Sequence, residues 1–374
     1  MEAGESANVA MQASGPDTKL LVAGVIEVSF KSPVKVCVEG ATVQAPHWKL
    51  GDRVNDGPWS KRPAAYLVDG ASGATKDVEV KVKIKKAQNV SGNAKLVGEL
   101  SGLRITGDCP LSEGEHVVQA KIEKLPAALG WIMGDVNWSL EGGSLTSSLP
   151  LNGTRAEISF LFAKPETYFQ NQKGVWAEVL RFLFGRAGMR GQRTPAEALA
   201  RIARYCHMGH KLKYENVGGS AYYAYGGTGG PFLLGEYLDR ASEEANCYDQ
   251  AGAVQVFAGA VGIKTIWVFL QPFGFINTTF LLGYGPCNNP FFGGNGTPQI
   301  VDVNHPWRTS FWNHAYVQYS GKILDACAGP HTGGEDMAEY LTASIDRKTK
   351  LYAQEKYQPD SQPPRLYVGV TAVS

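Results

Sequence analysis

A chain of 374 residues with 44% AVILMFWYC is long enough for two or three domains and for a sizeable core, which excludes a disordered protein. Lys plus Arg number 36 against 35 Asp plus Glu, a formal net charge of +1, which argues against a protein whose affinity comes from tracking phosphates. Charged residues reach only 19%, while glycine reaches 44 beside 15 Phe, 16 Tyr and 8 Trp, a pairing that needs a structural reason.

Residues 1–17 are small and polar, carry Glu2 and Glu5, and lack the basic start and apolar heart of a Sec signal. They read as a flexible tail. The chain is expected to be cytoplasmic or exported by a route without such a signal. No apolar stretch reaches the roughly 18 residues of a membrane-spanning helix; the longest, 261–270, is interrupted by Lys264.

Residues 18–165 read as a β-sandwich accessory domain. The clearest strand is 77–85, where Val78, Val80, Val82 and Ile84 alternate with Glu79, Lys81, Lys83 and Lys85. The lysines then line the wet face of a strand, and no nucleic-acid partner is expected. Further short segments at 94–103, 116–122, 136–140 and 155–162 are separated by Gly-rich turns, a pattern that favours a sandwich of immunoglobulin-like architecture.

After Lys164-Pro165 the pattern changes, and residues 166–374 read as one mixed domain. Thr194-Pro195-Ala196-Glu197 is a capping box with proline in the first helical position. It opens a helix whose Leu199, Ile202, Ala203 and Cys206 share one face, with a pause at Gly209. Residues 218–230 mix glycines with Tyr222, Tyr223 and Tyr225 and read as a mobile aromatic loop. A helix follows from Cys247 to Ala260 and ends at Gly262. Strands are expected at 264–270, 313–319 and 322–326, the first two separated by a Phe/Gly/Asn/Pro-rich insertion at 271–309.

The six cysteines, at 37, 109, 206, 247, 287 and 327, form no CxxC and are too sparse for a disulfide scaffold, although Cys287 and Cys327 could pair in an oxidising compartment. Cys206, His207 and His210 cluster, but Cys206 lies on the apolar helix face, so no metal is expected there, and no cofactor is implied elsewhere. Five N-x-S/T sequons, at Asn89, Asn137, Asn152, Asn277 and Asn295, are no more than a Gly/Ser/Thr-rich chain produces by chance.

Cys247 stands at the start of a helix, where unpaired amides and the helix dipole favour a thiolate. Ala251, Gly252 and Ala253 would let that helix lie close against a sheet. On the strand from Asn313, His314 shares a face with Tyr316 and Gln318; Ser320-Gly321 turns the chain back towards Asp325. The hairpin brings His314 and Asp325 towards neighbouring positions, and a carboxylate on an imidazole fixes its tautomer and stabilises its charged form. His305, before Pro306, reads as loop structure and a weaker rival base; His331 reads as a solvated turn residue. Asp249 suits the start of its helix, where an acid complements the dipole.

The Cys-led helix ending in Gly262-Ile263, the strand opening on His314 and the hairpin closing on Leu324-Asp325 resemble the transglutaminase-like superfamily. The likeness covers about residues 194–328 and includes Lys211-Leu212-Lys213-Tyr214, where the family often carries an aromatic before its flexible loop. Two departures are Asn246, where many relatives have Gly, and a long Cys-to-His interval. The resemblance implies a papain-like α+β domain, with a Cys-bearing helix on an antiparallel sheet, after the β domain. It also implies a catalytic triad with Cys247 as nucleophile, His314 as base and acid, and Asp325 orienting it. The expected activity is acyl transfer on the amide bonds of a protein or peptide through a Cys247 thioester. Water would make the enzyme a cysteine protease or amidase; a protein amine would make it a glutamine transamidase. Tyr222, Tyr223, Tyr225 and Gln250 are substrate-binding and oxyanion candidates by residue type. The alternatives are a binding or scaffold protein on the same fold without activity, and an unrelated β-rich surface protein. A role as effector or toxin follows by analogy alone.

Overall fold

The computed structural model describes residues 8–12, 19–52, 59–170, 173–355 and 358–374. It divides the chain into two compact units, Met1–Lys164 with Lys173–Glu178, and Pro165–Gln172 with Val179–Ser374.

The first unit is built from the period-two pattern. In the strand Asp77–Gln88, Val78, Val80, Val82 and Ile84 are buried and the intervening charged residues point outward. It pairs antiparallel with Lys19–Phe30 on one side and Gly114–Ile122 on the other. The ladder continues through Leu103–Pro110 and Asn93–Leu100 to the long strand Gly130–Glu141. That strand pairs with Thr154–Leu161 along its first half and with Asn93–Leu100 along its second, so it carries the ladder from one section of sheet to the next. A parallel strand, Ala64–Leu67, completes the path. One core cluster runs through the unit and includes Tyr66, Val80, Trp138 and Phe160. Burying each such side chain contributes about 1.5–3 kcal/mol. Gly98 is required beside Trp138, because a Cβ there would stand 2.5 Å from the indole.

Two expectations change here. The segment 94–103 is two strands joined at Ser101-Gly102, both with positive φ (48° and 83°), the backbone of a two-residue hairpin turn. Within the supposed tail, Asn8–Gln12 pairs antiparallel with Lys19–Phe30, Met11 opposite Leu20. An edge strand offers unpaired amides and carbonyls that a nearby extended segment can satisfy. Residues 1–7 and 13–18 of that stretch lie outside the described residues.

In the second unit the capping box forms as read. The Thr194 hydroxyl accepts from the Glu197 amide at 3.2 Å, and the Glu197 carboxylate accepts from the Thr194 amide. Helix Pro195–Arg204 buries Ala198, Leu199, Ile202 and Ala203 and widens into a π-helical turn, Tyr205–Gly209. The helix Cys247–Ala260 is buried all round except at Tyr248, as its run of small and apolar residues requires. Gly252 allows the Phe232 ring to sit where a Cβ would be only 2.6 Å away. The helix packs on an antiparallel sheet in the order His331–Thr332, Lys322–Asp325, His314–Tyr319, Ile266–Leu270, Arg365–Tyr367.

The insertion 271–309 is a folded piece of the unit rather than a loose excursion. Thr279–Leu281 and Gly285–Cys287 form a hairpin joined by Ala328–Gly329. The buried Arg308 guanidinium ties the piece together, bonding to Asp346 at 2.7 Å and to the carbonyls of Ile276, Asn288 and Val303. No helix among the described residues is long and apolar enough to cross a membrane.

Candidate active site

Cys247 is the first residue of its helix, and the cap before it decides which amides remain open. The Asn246 side chain accepts from the amides of Tyr248 and Asp249, and its carbonyl accepts from Gln250. The Cys247 amide is the one in this first turn that the cap does not engage. Asn246 is therefore a working N-cap, and it also donates from Nδ2 to the Gly219 carbonyl at 2.8 Å.

Asp249 is fully buried and gathers four amides: Asn246 within its own capping box, and Tyr222, Tyr223 and Ala224 from the aromatic segment. Glu215 does the same further upstream, accepting from the amides of Val217, Gly218 and Ser220. Within the segment 218–230, expected to be mobile, residues 222–224 are thus fastened to the start of the Cys247 helix by the buried Asp249 carboxylate, and Gly218 and Ser220 are held locally by Glu215. The expectation missed the Asp249 anchor because it comes from a distant part of the chain.

His314 is fully buried. Its Nε2 donates to Asp325 Oδ2 at 2.8 Å across the hairpin. The hairpin ladder is paired at Val317–Leu324, so the two residues lie beyond its last rung and meet through their side chains. The other ring nitrogen, Nδ1, is buried without a hydrogen-bond partner. Burial alone would lower this imidazole, but the Asp325 carboxylate and then the Cys247 thiol oppose it and raise it to about 10. Phe311 stacks on the ring, centroids 5.0 Å apart and planes 7° apart, and Phe273 closes in at 4.8 Å. Those aromatic faces also favour a cation.

Asp325 is held by four donors. Oδ2 accepts from His314 and from the Tyr340 hydroxyl at 2.9 Å; Oδ1 accepts from the amides of Cys327 and Ala328. Burial raises a carboxyl, but His314 and these donors outweigh it and lower Asp325 to about 2. Both shifts run towards the carboxylate–imidazolium form of the pair.

Tyr214, just before the loop, has its buried ring 5.8 Å from Phe291 and 5.6 Å from Phe311. Burial, then the nearby Cys327 and Cys247, raise its phenol well above the usual range, so it stays a neutral donor.

The substrate-binding candidates divide. Tyr222 is 41% and Tyr225 58% exposed. Tyr223 and Gln250 are interior, and the Gln250 Nε2 has no hydrogen-bond partner. The Tyr223 hydroxyl is committed to the Ser242 carbonyl, and Gln250 is buried against the Tyr237 hydroxyl. Cys206, His207 and His210 are each occupied separately. Burial pushes the Cys206 thiol up to about 12, His207 bonds the Ala326 carbonyl, and His210 bonds the Tyr237 carbonyl. Among the described residues no three potential metal ligands gather. His305 takes the Trp307 amide within its loop. His331 is not a solvated turn residue but is half-buried in a strand beside Asp325, paired with Glu335.

Sequence reasoning missed Tyr340, Phe311 and Phe273. For Tyr340 a signal existed: Asp336-Met-Ala-Glu339 is a capping box, and it opens the helix Met337–Ser344 that carries the tyrosine inward. The phenylalanines carry no local mark of their place beside an imidazole.

No protein-family model matches the chain, and no curated protein matches it. Among solved structures it is similar to red sea bream transglutaminase, with 11% sequence identity, a TM-score of 0.41 and 78% of this chain covered. The match covers 56% of that protein's chain, so this chain spans less than two thirds of its length.

Proposed function

We propose that this chain is a transglutaminase-like cysteine acyltransferase or hydrolase acting on the amide bonds of a protein or peptide. The observation that carries the reading is the buried His314–Asp325 pair, whose second ring nitrogen is left uncommitted and whose imidazole is raised in part by Cys247. A thiol at a helix start beside an oriented imidazolium is an activated nucleophile.

The sulfur of Cys247 attacks the amide carbon, forming a C–S bond and an oxyanion. The uncommitted Cys247 amide is one donor to that oxygen. The Tyr214 hydroxyl, kept neutral and close to the thiol, is the candidate for the second. Collapse breaks the C–N bond as His314 gives its proton to the leaving amine. The neutral imidazole then takes a proton from water or a second amine. That nucleophile attacks the thioester, and the thiolate leaves. Exposed Tyr222 and Tyr225 are the aromatic groups offered to a substrate chain.

Iodoacetamide labelling followed by mass spectrometry tests this reading. Burial pushes the thiols of Cys109 and Cys287 up to about 11, Cys206 up to about 12, and Cys37 and Cys327 upward as well. Cys247 is therefore expected to label first at neutral or mildly acidic pH, and His314→Ala to abolish that preference. Slow, uniform labelling of all six thiols would overturn the reading. A glutamine-containing protein offered with a labelled primary amine then separates transamidation from hydrolysis.

A further inference from the structure

The Asp325 carboxylate has a partner that no step of the chemistry needs. Its Oδ2 is shared: His314 Nε2 donates at 2.8 Å and the Tyr340 hydroxyl at 2.9 Å. Tyr340 is fully buried and its ring is boxed in. His331 meets it edge-on at 4.7 Å and 86°, and Tyr316 packs at 4.7 Å from the opposite hairpin strand. With its ring so held, the hydroxyl is directed at the carboxylate.

We infer that Tyr340 is a positioning residue that shares Asp325 Oδ2 with His314 and so sets how strongly the carboxylate holds the imidazolium proton. This rests on the catalytic reading above. A carboxylate oxygen that accepts two donors is a weaker base towards each than one that accepts a single donor. Tyr340 therefore keeps the Asp325 oxygen aimed at His314 while tempering the attraction, so the imidazolium can release its proton to the leaving amine. The other titratable groups acting on this pair are Cys247 on the buried helix, Cys327 after the hairpin, His207 on the π-turn, His331 on the adjoining strand and Tyr316 on the strand of His314, whose hydroxyl donates to Met337 Sδ. None of these supplies a hydroxyl to Oδ2.

The test is the pH profile of Cys247 alkylation by iodoacetamide, which needs no substrate. Its upper ionisation reports the imidazolium losing its proton. Tyr340→Phe keeps the ring and removes one donor; the upper ionisation is expected to rise by about one pH unit, the scale of one charge-assisted hydrogen bond. In an Asp325→Asn background the same change is expected to shift nothing, because the shared charge is gone. An unmoved ionisation, or an equal shift in both backgrounds, overturns the inference. Should Tyr340→Phe fail to fold, 3-fluorotyrosine at position 340 donates more strongly and is expected to move the ionisation down; no movement overturns the inference. If the parent protein shows no His314-dependent preference for Cys247, the catalytic reading itself has failed, a result distinct from an insensitive Tyr340.

Discussion

At the scale of single residues, the Asp325–His314 pair links chemistry to stability. Asp325 is lowered from 3.8 to about 2, so its contribution to folding is complete above the unfolded value and fades as pH falls through the folded one. His314 is raised from 6.5 to about 10, so its contribution is complete below 6.5 and is lost as pH rises through about 10. Thermal melts are expected to lose stability on both sides of the interval between these ranges. Asp325→Asn is expected to flatten the acid side and to cost about 3 kcal/mol or more, since it strips a buried cation of its partner. An acid limb that is the same in both proteins would show that Asp325 does not govern it. The residues of this pair were legible in the sequence, because a strand, a tight turn and a returning strand place them near each other. Their depth was not. Phe273, Phe311 and Tyr340 arrive from separate places in the chain, and only their packing makes the histidine dry.

Among the elements, the Cys247 helix shows how much a short stretch of sequence can specify. Its small residues announce close packing, and Asn246 with Asp249 closes its capping box. The second job of Asp249 is invisible in sequence, because the amides of Tyr222, Tyr223 and Ala224 lie more than twenty positions upstream. Asp249→Ala is expected to leave these amides unsatisfied, to cost about 2–4 kcal/mol, and to speed hydrogen exchange at residues 222–224. Unchanged exchange there would remove the anchoring role. Gly252→Ala sets helix propensity against a clash with Phe232, and the clash is expected to win by about 1–2 kcal/mol in a denaturant melt. A gain in stability would mean that the ring moves aside freely. The same anchors bear on replacing 218–230 by a short linker. A short linker there is expected to cost stability as well as turnover, because Asp249 loses three of its four amides and Glu215 keeps only that of Val217.

Across the whole molecule, the excess of glycine beside aromatics resolves mainly into packing. Tyr223, Phe232, Phe273, Phe275 and Phe311 are interior, with Gly252 giving one of them room, while Tyr222, Tyr225, Trp307 and Trp312 remain open to solvent. Balanced charge accords with the proposed protein or peptide substrate, held by contact area rather than by field. The sequence by itself determined what local rules control. The alternation of 77–85 made a strand with a wet face, Thr194-Pro195-Ala196-Glu197 made a helix start, and Cys247, His314 and Asp325 stood on elements that could be named in advance. Tertiary structure alone decided the rest. It fastened residues 222–224 with the Asp249 carboxylate, folded the 271–309 insertion around Arg308, withdrew Tyr223 and Gln250 into the interior, and brought Tyr340 onto Asp325. The physical reason is range. Periodicity and capping act over a few residues, whereas burying a charge or a hydroxyl needs partners from distant parts of the chain, and those become neighbours only when the core closes.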